Sequence, residues 1–115
     1  MKKFNIGDIV FVSNYKYKTG RTGKNHIFVI IDDEKAIEIN YFGFLISSNI
    51  EKISYKYNQI LNKNKINNLY KDSIVKCDDL IKIGENKILF KIGVVTSEEL
   101  ERFVYTYETY LEESF

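Results

Sequence analysis

The sequence predicts a mainly β domain finished by one C-terminal amphipathic helix. Short β-branched and aromatic runs recur through residues 6–94, separated by Gly, Asn and Asp clusters that break regular structure. Only the segment after Thr96 carries apolar residues at helical spacing. With 115 residues the chain has room for one hydrophobic core, so 1–115 reads as a single domain. Successive strands followed by one helix make a β-barrel or sandwich with an appended helix.

The first strand is Ile6 to Val12, short and β-branched. Ser13 to Asn25 follows as a polar, basic loop with Gly20 and Gly23, longer than the usual connection of about 4–6 residues. His26 to Ile31 is the second strand, closed by the acidic turn Asp32-Asp33-Glu34-Lys35. Ala36 to Ser48 is the third, with Gly43 marking a bulge or bend. Ile53, Tyr55, Tyr57 and Ile60 make Glu51 to Leu61 a fourth, partly alternating strand. Asn62 to Asn68 is an Asn/Lys connector. Asp72 to Ile83 carries strand-like apolar residues, and Lys87 to Val94 is a further strand after the turn Gly84-Glu85-Asn86. Thr96-Ser97-Glu98-Glu99 is a capping box, and Leu100, Phe103, Val104, Tyr107 and Leu111 then fall on one helical face.

The net charge of +1 conceals an asymmetry. Residues 1–24 hold six basic side chains against Asp8, and residues 51–71 hold five lysines against Glu51. Residues 97–115 hold six glutamates against Arg102. One part of the molecule attracts a polyanion and the C-terminal end repels it. Apolar runs fall far short of the ~20 residues a membrane helix needs, and the N-terminus lacks the apolar core of a signal peptide. Cys77 is alone, so no internal disulfide forms. A reducing, cytoplasmic setting is the expectation, with no membrane.

The sequence has no phosphate-binding glycine loop, no dinucleotide fingerprint and no zinc-protease motif. One His and one Cys leave no zinc site of protein ligands alone. Asp32-Asp33-Glu34 and Asp78-Asp79 offer oxygen ligands to a hard cation, although surface turns often look like this. No metal and no cofactor is expected. A Cys77–His26 pair is a possible nucleophile and base, but Cys77 sits in a strand-like segment where a free Cys is usually a small hydrophobe. Lys18-Thr19-Gly20-Arg21-Thr22-Gly23-Lys24-Asn25-His26 gathers two glycines, three cations and the only histidine. Glycines let backbone N–H groups approach a phosphate, cations neutralise it, and histidine moves protons near neutral pH.

Four segments in order resemble one family. Gly7-Asp8-Ile9-Val10-Phe11-Val12 resembles the opening strand of PemK/MazF toxins, and a basic glycine loop with the apolar strand Ile27 to Ile31 follows it. Lys71-Asp72-Ser73-Ile74-Val75 is similar to the family's Lys-Asp-Ser-x-Val strand. Lys91-Ile92-Gly93-Val94-Val95-Thr96-Ser97-Glu98-Glu99-Leu100 is similar to its lead into the last helix. The resemblance covers roughly 5–112. It implies an SH3-like barrel with a C-terminal helix, a homodimer, a cognate antitoxin partner, and a bacterial toxin that cleaves single-stranded RNA without metal. In that chemistry the 2′-hydroxyl attacks the neighbouring phosphorus, leaving 2′,3′-cyclic phosphate and 5′-hydroxyl ends.

The family uses an arginine at the start of the second strand and a hydroxyl at the end of the third. Those positions fall on His26 and on Ser47, with Ser48 adjacent. Here Asn25-His26-Ile27 replaces the usual Arg-Pro, so the resemblance implies His26 as acid or base, with Arg21 and Lys24 as charge stabilisers. Ser47 is then a hydrogen-bonding partner of the reacting oxygens. Lys18, Lys24, Ser48 and the lysines of 52–71, Lys52 and Lys56 first among them, are expected to bind RNA, with Tyr15 and Tyr17, then Tyr55 and Tyr57, stacking on bases. The alternatives are a non-catalytic SH3-like module that binds nucleic acid and a barrel that binds a protein partner.

Overall fold

The computed structural model describes residues 2–13 and 26–115. In chain order it contains β1 (Asp8–Val12), β2 (His26–Lys35), β3 (Ile39–Ser47), a 3-10 helix (Ile50–Ser54), β4 (Asn58–Leu61), β5 (Ser73–Lys76), β6 (Ile81–Gly84), a second 3-10 turn (Glu85–Lys87), β7 (Ile88–Val94) and α1 (Ser97–Ser114). The strands form one antiparallel sheet in the order β4-β5-β3-β2-β1-β7. β6 pairs with the first half of β3, and β5 pairs with its last two residues. The mainly β class with a closing helix is as expected. Among the described residues no ladder joins β4 to β7, so the sheet curls without closing into a barrel.

Both faces of the central strands are buried, which is why β1 and β2 read as nearly unbroken apolar runs. One face carries Ile9, Val29, Phe44, Ile46 and Val75, and the helix covers it with Phe103. The other carries Val10, Val12, Phe28, Ile30 and Tyr41, with Ile83 and Ile88 folded over them. Thr96 Oγ1 accepts the Glu99 N–H at 3.1 Å and Glu99 Oε1 accepts the Thr96 N–H at 2.9 Å, closing the capping box the sequence predicts. Arg102 donates to the Ile60 carbonyl at 2.7 Å and ties α1 to β4.

β2 runs four residues beyond the expected end at Ile31. A bulge at Ile31 shifts the register between Ile30 and Asp32, so Asp32 to Lys35 pair with Phe42 to Ile39. The expected irregularity at Gly43 therefore lies in the facing strand. Gly43 itself is required because a Cβ there would stand 2.7 Å from the Val29 carbonyl oxygen. The expected strand Glu51–Leu61 is a 3-10 helix over its first part. Turn bonds from Lys52 N–H to the Asn49 carbonyl, from Tyr55 N–H to the Lys52 carbonyl and from Asn58 N–H to the Tyr55 carbonyl coil it. The Asn58 amide also donates to the Lys52 carbonyl at 2.8 Å. Only Asn58–Leu61 joins the sheet, so the alternation of Ile53, Tyr55 and Tyr57 is not a strand period.

The Asn/Lys connector is tightly built. The buried Asn67 side chain accepts N–H groups from Asn64 at 3.0 Å and Leu69 at 3.0 Å, and donates to the Asn62 carbonyl at 2.8 Å. The connector lies against β7, with Val94 N–H on the Ile66 carbonyl and the Asn68 amide on the Ile92 carbonyl, both at 3.2 Å. Gly93 permits this approach, since a Cβ there would sit 2.4 Å from the Asn67 carbonyl oxygen. The chain that leaves the connector, Leu69-Tyr70-Lys71, is thereby held beside the end of the sheet.

Candidate active site

β2 begins at His26 and β3 ends at Ser47. The register pairs Ile27 with Ile46, so its next step sets His26 opposite Ser47. On the other side of β3, Ser47 pairs with Ile74 and Ile46 with Val75. Opposed residues share a face and successive ones alternate. His26, Ser47 and Lys76 therefore project from one face of three neighbouring strands.

These residues open into a groove of about 610 Å³ that also meets Ser48, Lys52, Tyr70 and Lys71. Among the described residues its lining holds three lysines and a histidine and no carboxylate. Lys52 and Lys71 are exposed, whereas Lys76 is half-buried. The Lys71 ammonium stands 6.0 Å from the centre of the exposed Tyr70 ring. A cleft with one sign of charge and partly apolar walls concentrates a polyanion.

Partial burial, aided by the nearby Lys76 charge, lowers the His26 pKa from its ordinary 6.5. The imidazole is thus neutral at pH 7 and can take up a proton. Ser47 Oγ accepts the Asn49 N–H at 3.2 Å, and among the described residues its own O–H donates to no protein acceptor. The groove therefore joins a proton acceptor, a hydroxyl donor and fixed positive charge.

The other expected site residues lie elsewhere. Lys56 is ion-paired to Glu113 near the C-terminal end of α1, outside the groove. Tyr55 donates to Asp78 at 2.9 Å, and Tyr57 packs edge-on against Tyr110 with ring centres 5.0 Å apart. Tyr15, Tyr17, Lys18, Arg21 and Lys24 lie outside the described residues. Cys77 is buried in the core under α1, and burial pushes its thiol up to about 12. One residue past the end of β5, it packs into the core with Val75 and Phe103, away from the groove of His26, so no Cys77–His26 pair forms. Asp33 pairs with Lys2 at 2.9 Å and Glu34 with Lys82 at 3.4 Å. Among the described residues no three His, Cys, Asp or Glu side chains converge on a metal position.

Sequence reasoning counted Lys71 among the phosphate-binding lysines of 52–71 but did not single out Lys76 or Tyr70 as site residues. A trace of Lys76 was present, since it is the one charge inside the apolar run Ile74 to Cys77. Tyr70 beside Lys71 is a local pairing of an aromatic ring and a cation, visible in the sequence.

A family model described as PemK-like, MazF-like toxin of type II toxin-antitoxin system matches residues 5–104, which span the whole sheet and the first turns of α1. No curated protein matches the chain. No helix among the described residues is long and apolar enough to cross a membrane.

Proposed function

Since the chain belongs to the PemK-like, MazF-like toxin family of type II toxin-antitoxin systems, we propose that it is an endoribonuclease cutting single-stranded RNA in the groove of His26 and Ser47. The single observation that carries this reading is the composition of that groove among the described residues: the only histidine of the chain, a serine hydroxyl and three lysines, with no carboxylate. Such a cleft attracts phosphates and contains a group able to move a proton.

The reaction consistent with these groups needs no metal, because the nucleophile is carried by the substrate. His26, neutral at pH 7, takes the proton of a ribose 2′-hydroxyl. The 2′-oxygen then bonds to the adjacent phosphorus, the P–O5′ bond breaks, and the leaving 5′-oxygen takes a proton from solvent water in the open groove. The products are a 2′,3′-cyclic phosphate and a 5′-hydroxyl. Ser47 donates to a non-bridging or reacting oxygen, where hydrogen bonds strengthen as charge accumulates. Arg21 and Lys24 are read as stabilisers of the charged phosphorane, with Lys18, Tyr15 and Tyr17 as further RNA contacts. Lys52 and Ser48 hold phosphates at the opposite rim, and Lys56 serves RNA only if it exchanges Glu113 for a phosphate.

A toxin of this family implies an antitoxin partner. In this reading residues 1–115 act as one domain, the working form is a homodimer, and the cytoplasm supplies the RNA. The test is incubation of purified protein with a long single-stranded RNA in EDTA, with the new ends identified by mass. Cyclic phosphate on every upstream fragment is the expected result. Intact RNA that stays bound to the protein would replace the nuclease by a non-catalytic nucleic-acid-binding module.

A further inference from the structure

We propose that Phe11 and Tyr70 form a nucleobase slot at the apolar end of the groove, where one unpaired base of the bound RNA stacks on the Phe11 ring. This inference rests on the reading of the groove as an RNA site and adds to it the place of a base. His26, Ser47 and the lysines deal with ribose and phosphate. The bases of a single strand need cover of their own, and each has an apolar face that stacks on an aromatic ring.

The groove bends around the strand ends, so both faces of the sheet line it. Phe11 pairs with Ile27 and Ile27 with Ile46, whereas His26, one residue back, pairs with Val12. Successive residues alternate, so Phe11, Ile27 and Ile46 line the groove from the face opposite to His26 and Ser47. Leu69, from the connector, packs on the core of that face, and Tyr70 beside it is 76% exposed in the groove. Phe11 stands one strand across and one residue along from His26, about 6 Å between backbones. A base whose ribose lies at His26 spans that distance.

The Phe11 ring is already set for stacking. It lies parallel to Phe90 of β7, with ring centres 5.0 Å and planes 9° apart. Phe90 backs it from the β7 side, and the side toward β2 opens on the groove. Core packing does not account for this pair. Neither ring belongs to either buried cluster, and Phe90 is 52% exposed. An exposed aromatic patch of this kind marks a contact surface. Its surroundings favour a nucleic acid, since Lys52, Lys71 and Lys76 line the same groove and the Lys71 ammonium stands 6.0 Å from the Tyr70 ring centre. A base on Phe11 keeps its own phosphates within reach of these cations. Tyr55 and Tyr57, expected to stack on bases, are instead engaged by Asp78 and Tyr110.

The test uses a 2′-O-methyl RNA oligonucleotide, which binds but cannot react, with one abasic residue walked along it. For wild type, the abasic residue is expected to cost about tenfold in affinity at one position, next to the bond that is cut in the unmodified strand. F11L and Y70A are expected to bind the intact RNA about tenfold more weakly and to lose the penalty at that position, because base and ring act through one contact. F11W and Y70F keep a ring and are expected to keep the penalty. F90A removes the backing ring from an exposed position and is expected to shrink the penalty. It carries the test should thermal melts show that F11L does not fold. No position-specific penalty in wild type, or one of equal size in wild type, F11L and Y70A, overturns the slot and leaves the nuclease reading intact. An F90A protein that falls from a larger assembly to a single chain, with the abasic penalty unchanged, makes the patch a contact between copies and also overturns it. A wild type that shows the penalty but cuts no RNA supports the slot and removes only the nuclease. A wild type that binds no RNA removes both.

Discussion

Lys76 and His26 enter one groove from strands separated only by β3, and the lysine charge adds to partial burial in holding the imidazole neutral. Ser47, at the end of β3, lies between them. Proton acceptor, hydroxyl and cation are thus aligned across three strands rather than along one loop.

The lowered His26 pKa fixes the direction of the pH dependence. With the imidazole as base, kcat/KM of the free enzyme is flat near pH 7 and falls only as pH drops through a value below 6.5. Partial burial and the Lys76 charge keep that limb on the acid side. A pH–rate profile of RNA cleavage checks this. Activity that instead rises toward pH 5 would assign His26 the acid role.

The same shift acts on stability. A folded-state pKa below the unfolded value means that the unfolded chain binds more protons in the window between them. Stability from this group is therefore fully present above about 6.5 and is lost as pH falls through the folded-state value. Denaturation at pH 7.5 and pH 5 is expected to give a larger acid loss for wild type than for His26→Gln. Equal losses would show that the imidazole is not held neutral by the fold.

Ser47→Ala removes one hydrogen bond to a charged oxygen, worth about 1.5–3 kcal/mol. Cleavage at saturating RNA is expected to slow roughly ten- to a hundredfold. The thermal melt should barely move, because Ser47 is half-exposed and its one recorded bond is to the exposed Asn49 N–H. Parallel kinetics and melts check both.

Gly93→Ala places a methyl group 2.4 Å from the Asn67 carbonyl oxygen, where backbone must yield. Such overpacking costs about 1–3 kcal/mol, measurable by urea denaturation. Because the displaced connector carries Tyr70 and Lys71 into the groove, RNA affinity should fall with stability. Asn67→Ala is expected to act in the same direction by orphaning the Asn64 and Leu69 N–H groups.

Cys77 is expected to resist thiol reagents in the native protein and to react fully in denaturant. Burial holds it as the neutral thiol, and the reactive species is the thiolate. Reaction of the native protein with a disulfide reagent at the rate of a free thiol would place Cys77 at the surface.

The helix was legible in the sequence because everything that specifies it is local: a hydroxyl at Thr96, Glu99 three residues on, and Phe103 on a 3.6-residue period. β1 and the start of β2 were legible for a similar reason. The segment at 51–61 was not, because alternation over a few residues arises as readily in a coiled turn, and the Asn58 amide decided between them. The His26 and Ser47 positions came from a resemblance, not from spacing alone. Their juxtaposition across the β2–β3 hairpin gives it physical form. Lys52 and Lys56 looked alike in a basic run, yet one faces the groove and the other pairs with Glu113. Lys76 was hidden for a different reason. Its relation to His26 depends on pairing between β3 and β5, elements separated by a long stretch of chain, and no local pattern encodes a register of that kind.

The most direct measurement is single-turnover cleavage of single-stranded RNA in EDTA by wild type and His26→Ala side by side, with affinity for a 2′-O-methyl RNA measured on both. Loss of a general base predicts a rate lower by about 10²–10⁴-fold, with inert RNA bound nearly as tightly and the wild-type fragments ending in 2′,3′-cyclic phosphate. A folded His26→Ala protein that cuts the same RNA at the wild-type rate would move the chemistry out of this groove.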